Sequence, residues 1–290
     1  MRIECDNELR NRLTYHTTLF SYLYENDITL SPHLSKMDPT ALVIWETAGL
    51  ANRLHSLINA LYIQETTGRV VYSCWPLNDQ LTVPVSKLFE HPLPLLSEEL
   101  VRTLPQAPLN DIPNLLTYLQ NTPGNVSLHY PLVLPQVPSA FIRKTLKAIK
   151  WHPSILELAE EERVKYNITS EMSGIHARGT DVMGLTELRV RVKEAVSHLL
   201  LTTTERIFIC SDELELLEKP LNERVVMIPR LNRYVTKGMI QAVVDLLLLS
   251  STNIRYYSPM STYSWVAIAL SEREVELIPR GQRDGALREL

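Results

Sequence analysis

Residues 172–187 read MSGIHARGTDVMGLTE, an apolar run that turns abruptly polar. Side chains alternate faces along a strand, so His176 and Arg178 point the same way if this run is a strand. Ligands of open α/β sheets bind at the carboxyl ends of the strands. The planar fork of arginine matches phosphate oxygens, so Arg178 indicates a phosphate-bearing ligand. The alternative is a buried pair of Arg178 and Asp181 that caps the strand.

A second predicted strand and an apolar helix also place polar residues at positions suited to a ligand. Residues 207–213 read IFICSDE, an apolar strand that ends in Ser211 and Asp212. Residues 238–250 form an apolar helical pattern with one carboxylate, Asp245, in the middle. Charged groups are seldom fully buried without a partner, so Asp245 requires a partner or a ligand.

The run from Ser261 to Leu270 predicts a helix that opens with hydroxyl residues. Helix N-termini offer unpaired N–H groups and a favourable dipole to anions. Ser261 and Thr262 are therefore candidates for contact with an anionic group. Ordinary N-capping, which serine favours, is the alternative for Ser261.

Closer to the N-terminus, residues 41–73 predict a βαβ unit. An apolar strand leads into a turn with Gly49 and Asn52, then a helix, and a second strand follows at 69–73. The apolar first strand is typical of a parallel sheet. The turn lacks the second and third glycines of a dinucleotide-binding fingerprint. Taken alone, it is also compatible with a tight turn in any α/β protein.

In this order, the segments resemble the fucosyltransferase superfamily that includes core α1,6-fucosyltransferases and protein O-fucosyltransferases. The likeness rests on His-x-Arg-x-x-Asp at 176–181, Ser-Asp-Glu at 211–213, Asp245 ahead of an apolar run, and a serine-rich turn at 258–261. It covers about residues 172–290 and, more loosely, 41–72. It implies an α/β fold of the GT-B kind, with two Rossmann-like domains facing a central cleft.

The resemblance also implies a function. We expect an inverting glycosyltransferase that moves a sugar, fucose from GDP-fucose in the first instance, to a hydroxyl of a glycan acceptor. The sequence contains no Asp-x-Asp motif of the kind that holds a metal on a donor diphosphate. We therefore expect no metal and no other cofactor, with Arg178 opposing the charge of the leaving diphosphate.

Site residues follow from the matched motifs. The general base is expected to be Glu187, which lies one residue late relative to the family pattern, and its rivals are Asp181 and Glu46. The resemblance implies that His176 and Asp245 contact the nucleoside, with Asp245 suited to guanine. The full set of predicted donor-binding residues is Asn52, His176, Arg178, Ser211, Asp212, Asp245, Ser261 and Thr262.

Two domains are expected. Residues 1–165 would form an acceptor-side domain and residues 166–290 the nucleotide-sugar donor domain. Between residues 76 and 138 the chain holds 11 of its 18 prolines. That density breaks regular elements, so we interpret 76–138 as a loop-rich elaboration of the first domain.

Composition narrows the class of partner. The net charge is −4 and no basic stretch dominates, which does not favour nucleic acid. The three cysteines are widely spaced and indicate neither a disulfide framework nor a zinc site. No apolar run approaches the roughly 20 residues that span a bilayer, and the first residues are too polar for a signal peptide. We therefore expect a cytoplasmic protein without a membrane span.

The sequence is also compatible with two other functions. One is a glycosyltransferase of the same fold that uses another nucleotide sugar, because a shared fold does not fix the donor. The other is a non-catalytic relative that binds a nucleotide or glycan. The joint presence of Arg178, His176 and Asp245 favours an enzyme over that relative.

Overall fold

Two parallel β-sheets organise the part of the chain that the structure, a computed structural model, describes. That part consists of residues 37–107, 112–178, 185–213, 222–229, 231, 235–258 and 261–271. From Asp38 onwards these residues belong to one compact unit.

The first sheet is built around the predicted βαβ unit. Strand β1 (Leu42–Trp45), helix α1 (Leu50–Thr67) and strand β2 (Val71–Cys74) follow one another, and β1 pairs with β2 in parallel. Strand β3 (Val126–Leu128) pairs in parallel with the other side of β1, so the strand order is β2-β1-β3. The proline-rich segment 76–138, interpreted from sequence as loop-rich, thus also supplies an edge strand to the sheet.

Within the described residues, two short helices lie between β2 and β3 of the first sheet, and two more lead from β3 to the second sheet. They are α2 (Glu98–Val101), α3 (Leu115–Asn121), α4 (Ser139–Lys147) and α5 (Pro153–Lys165), with 3₁₀ turns at Val85–Lys87 and Ile112–Asn114. Helix α5 begins where the sequence is suited to it: the His152 side chain accepts a hydrogen bond from the Ser154 N–H, and Pro153 occupies the first helical position. The predicted domain boundary at residue 165 falls at the end of α5 and stays a prediction.

The second sheet contains four parallel strands in the order β6-β5-β4-β7. Its elements are β4 (Ser173–Ala177), α6 (Leu185–Thr202), β5 (Ile207–Ser211), β6 (Val225–Met227), α7 (Thr236–Ser250), β7 (Asn253–Tyr257) and α8 (Thr262–Leu270). Apolar side chains of α6 pack on β4 and β5 to form a buried core that includes Val192, Ile175 and Ile209.

Helix α8 connects the second sheet to the first. The Trp265 ring meets the His55 ring of α1 edge-on, with 4.5 Å between ring centroids. The guanidinium of Arg143, on α4, also donates to the carbonyl of Ser271 at 3.4 Å. Through these contacts, the carboxyl edges of the two sheets face each other across a cleft. Among the described helices, none combines the length and apolar character that crossing a bilayer requires.

Gly174 allows β4 to pack closely on the segment that joins α7 to β7. A Cβ atom at this position would overlap the Thr252 side-chain oxygen and come within 3.2 Å of Leu249 Cδ1. Thr252 cannot easily yield, because it is buried and its hydroxyl donates to the Leu249 carbonyl at 2.8 Å.

We therefore predict that Gly174→Ala destabilises the fold by about 1–3 kcal/mol, the range typical of overpacked cores. The control is Gly49→Ala, where an added Cβ meets open space and the backbone φ is −64°. Chemical denaturation of both variants tests the prediction. Equal stabilities for the two variants would show that the β4–β7 contact is not tightly packed.

Candidate functional site

A cavity of about 220 Å³ lies between the carboxyl ends of the two sheets. The first sheet contributes the turn between β1 and α1, and the second contributes the ends of β4 and β5 with the facing sides of α7 and α8. The residues that line it are Ala48, Gly49, Leu50, Ala51, Asn52, Asp79, Gln80, His176, Arg178, Cys210, Ser211, Asp212, Leu231, Gly238, Met239, Gln241, Ala242, Asp245, Thr262 and Tyr263.

Two buried charges hold the turn after β1 in place. The Glu46 carboxylate accepts hydrogen bonds from the backbone N–H groups of Thr47 and Ala48, both at 2.8 Å. From the other side, the Arg53 guanidinium donates to the carbonyls of Ala48 at 2.7 Å and Thr47 at 3.2 Å. Burial lowers the pKa of Arg53 to about 10, and the nearby Glu46 opposes that shift. Arg53 therefore stays charged at neutral pH, and the turn is fixed by charge-assisted hydrogen bonds.

Helix α1 begins at this turn and presents its first N–H groups to the cavity. Its N-cap, Gly49, provides no side-chain hydrogen bond to those groups. The side-chain oxygen of Asn52 is buried and has no hydrogen-bond partner within the described residues. A helix start with open N–H groups favours a negatively charged ligand.

The end of β4 is tied to its neighbouring strands by two serine hydroxyls. Ser211, the last residue of β5, donates to the Ala177 carbonyl at 2.7 Å. Ser258 follows β7 and accepts from the backbone N–H of Arg178 at 2.7 Å. These bonds fix the main chain at the point where the half-buried Arg178 side chain enters the cavity wall.

His176 is a buried residue of β4, and its side chain packs against α8. Its Nδ1 is 2.5 Å from the Ser264 hydroxyl oxygen, and its ring stacks on Tyr263 with 4.8 Å between centroids. Burial lowers the pKa of His176 to about 4. The nearby Asp212 carboxylate raises this pKa, and the positive charge of Arg178 makes a smaller contribution that lowers it. His176 is therefore a neutral imidazole at physiological pH, able to donate or accept one hydrogen bond to a ligand.

Asp245 is the buried carboxylate that the apolar helix pattern singled out. It lies on α7, lines the cavity, and accepts a hydrogen bond from the Gln241 amide at 3.0 Å, one helical turn earlier. A buried carboxylate in a cavity wall is suited to a ligand with paired N–H donors, because it accepts hydrogen bonds through both oxygens.

Most of the predicted donor-binding residues share this cavity. Asn52, His176, Arg178, Ser211, Asp212, Asp245 and Thr262 all line it. Ser261 instead caps α8: its hydroxyl accepts from the Ser264 N–H at 3.3 Å, which is the capping alternative considered from sequence. The roles of all eight predicted residues in donor binding stay predictions.

The three predicted base candidates lie in different settings. Glu187 is exposed on α6, ion-paired with Arg191 at 2.5 Å, and does not appear in the described cavity wall. Asp181 lies outside the described residues. Glu46 is buried directly behind the cavity turn.

Several residues of the cavity wall were not predicted from the sequence. Tyr263 and Gln241 were not singled out, although Tyr263 directly follows Thr262 and Gln241 lies one helical turn before Asp245. Gln241 precedes Asp245 by four residues, a spacing that places two side chains on the same helix face. No comparable signal identifies the stacking of Tyr263 on His176, because that contact joins distant segments. Among the described residues, no group of three or more His, Cys, Asp or Glu side chains is arranged to hold a metal ion.

Comparison with solved structures connects this geometry to known proteins. The chain is similar to NodZ α1,6-fucosyltransferase co-crystallised with GDP, a protein from Bradyrhizobium, at 18% identity and a TM-score of 0.63 over 81% of this chain and 93% of that one. It is also similar to POFUT1 in complex with GDP-fucose, at 10% identity and a TM-score of 0.54 over 83% and 99% of the two chains.

A mutant of Arabidopsis thaliana FUT1 in complex with GDP is a third similar structure, at 14% identity and a TM-score of 0.57 over 92% of this chain and 75% of that one. No family model and no curated protein sequence matches the chain. At these identities the likeness concerns the fold. It confirms the predicted resemblance and the predicted α/β class, with two parallel sheets facing a central cleft in the GT-B manner.

Buried imidazoles give the fold a predictable dependence on pH. Burial lowers the pKa of His55, His91 and His176 to about 4 each, whereas an unfolded imidazole titrates near 6.5. Between these values the unfolded chain binds more protons than the folded one, so the free energy of unfolding falls as the pH drops from 6.5 towards 4.

Denaturant midpoints between pH 7.5 and pH 4.5 measure this dependence. We expect His176→Gln to show a shallower pH slope than the wild type, because one of the three imidazoles is gone. An unchanged slope would mean that the pKa of His176 is the same in the folded and the unfolded chain, which contradicts the depressed pKa.

Proposed function

We propose that this protein transfers fucose from GDP-fucose to a hydroxyl of a glycan acceptor, with inversion at the anomeric carbon and without a metal ion. The observation that carries the proposal is that Arg178 and Asp245 line one cavity between the sheets. This pairs a cation suited to phosphate with a buried carboxylate suited to a nucleobase. The fold is shared with solved fucosyltransferases, two of them in complex with GDP and one with GDP-fucose.

The diphosphate would lie between Arg178 and the helix starts. Thr262 is the first residue of α8 and lines the cavity, as do the first residues of α1. Backbone N–H groups at both helix starts and the forked guanidinium are preorganised donors for phosphate oxygens. Such donors stabilise the negative charge that develops on the leaving diphosphate, which is usually the largest catalytic contribution.

The nucleoside would lie against α7 and β4. Guanine presents neighbouring N–H donors on one edge, and the Asp245 carboxylate can accept both. His176, held by Ser264 and stacked on Tyr263, offers a neutral ring nitrogen to the same region. Asp212 and the hydroxyl of Ser211, both in the cavity wall, are available to the ribose.

Asp245→Asn tests the guanine assignment. The amide replaces one acceptor oxygen with a donor, which leaves a buried mismatch that costs about 1–3 kcal/mol. We predict a loss of GDP affinity of roughly tenfold to a hundredfold and little change in UDP affinity. Calorimetry with both nucleotides measures the two effects.

The matched control is Asp38→Asn, an Asp to Asn change at a residue that pairs with Thr40 and does not line the cavity. It should leave both affinities unchanged. Melting temperatures of the two variants identify any general damage to the fold. An equal loss for GDP and UDP, or no loss for GDP, would contradict the guanine assignment and favour a different nucleotide sugar.

A further inference from the structure

The pairing of β1 with β3 brings two residues together at the edge of the first sheet. The strands run parallel with Ile44 opposite Leu128, so Trp45 and His129 follow at the next position. Their rings are in contact, with 5.0 Å between centroids and 33° between planes. The Trp45 ring therefore supports one side of the His129 imidazole.

Glu46 holds the same imidazole through a hydrogen bond. The His129 Nε2 is 3.2 Å from Oε1 of Glu46, the oxygen that also accepts the N–H groups of Thr47 and Ala48. Since a carboxylate oxygen can only accept in these three contacts, the neutral tautomer that fits this geometry has its proton on Nε2. The proton on Nε2 leaves Nδ1 with a free electron pair.

The two side chains differ in access to solvent. The Glu46 side chain is 1% exposed, whereas the His129 side chain is 40% exposed. No described residue makes a hydrogen bond to Nδ1 of His129. An incoming hydroxyl can therefore reach the imidazole but not the carboxylate behind it.

The pair also lies beside the cavity. Ala48, which lines the cavity, donates its N–H to the Glu46 oxygen that receives the His129 contact. Both residues follow the carboxyl ends of their strands, at the edge of the first sheet that faces the cavity. The imidazole therefore lies at the same end of the first sheet as the turn that lines the cavity.

We propose that His129 is the general base of the transfer reaction and that Glu46 is its positioning residue. This inference rests on the proposed function. Glu46, predicted from sequence as a base candidate, would act through His129 because it is itself shielded from the acceptor.

In the proposed step, the acceptor hydroxyl gives its proton to Nδ1 of His129. The hydroxyl oxygen uses its electron pair to form the bond to the anomeric carbon. The bond from that carbon to the diphosphate oxygen breaks, and its electron pair leaves with GDP. While the imidazole carries the proton, the buried Glu46 carboxylate stabilises the positive charge of the imidazolium. The imidazolium then releases the proton to solvent.

The test follows GDP release from GDP-fucose, with water and with a panel of soluble oligosaccharides as acceptors. We expect His129→Ala to lower kcat by about a hundredfold to ten-thousandfold, the usual contribution of a general base. The KM for GDP-fucose and the Kd for GDP should stay within about twofold, because His129 does not line the described donor cavity. The control is His198→Ala, the same change at an exposed residue of α6, which should leave kcat unchanged.

Added imidazoles distinguish a base from a supporting side chain. In His129→Ala, free imidazoles of increasing basicity should restore GDP release in proportion to their basicity, whereas simple filling of the space would follow their size. Glu46→Gln keeps an amide oxygen that can accept the N–H groups of Thr47 and Ala48, so the turn is retained. This variant should lower kcat by a larger factor than it changes the KM for GDP-fucose. If Glu46 acts through His129, the double variant should be no slower than His129→Ala alone.

The outcomes separate the two proposals. Normal kcat in His129→Ala, rescue that ignores basicity, or additive effects of the two substitutions would overturn the assignment of His129 and Glu46 while GDP binding stays normal. Failure of the wild-type protein to bind GDP would overturn the proposed function, and the base assignment with it.

Discussion

Parallel hydrogen bonding of β4 to both β5 and β7 is the constraint on which the candidate site depends. In a parallel sheet all carboxyl ends meet at one edge, so residues far apart in sequence become neighbours. The register that places His176 opposite Cys210 and Tyr257 brings Arg178 to the cavity together with Ser211 and Asp212. Shifting a strand by one residue would turn these side chains to the opposite face. Gly174 permits the close packing of the β7 segment that this register requires.

Two buried charged side chains, Arg53 and Glu46, fix the part of the cavity wall that the first sheet provides. Arg53 is fully buried, and its hydrogen bonds to two carbonyls fix the turn after β1. Removing the Arg53 side chain would take these donors away from the two carbonyls, at a cost of about 1–3 kcal/mol for each buried group left unsatisfied. The Glu46 carboxylate fixes the same turn through its N–H groups and also holds His129. The cavity wall and the proposed catalytic base are therefore positioned by one polar network.

Local patterns predicted much of this molecule, and long-range contacts account for what they missed. The apolar runs at 42–45, 173–177 and 207–211 form strands as expected, and most predicted donor-binding residues line one cavity. Strand β3 escaped prediction because three residues within a proline-rich segment show no period of their own and are strand only through pairing with β1. The contact between His129 and Glu46 joins residues 83 positions apart, so no local pattern could indicate it. Glu187 matched the motif nearly in register, yet it faces solvent on α6 and pairs with Arg191.

In the proposed function, Arg178 and the helix starts hold a guanosine diphosphate in the cavity without a metal ion. Calorimetry of the wild-type protein with GDP in the presence of EDTA tests it most directly, with Arg178→Ala measured under the same conditions. We expect saturable binding of GDP that EDTA does not weaken and that Arg178→Ala reduces. Loss of GDP binding in EDTA with recovery on addition of Mn²⁺, or equal binding by Arg178→Ala, would contradict it.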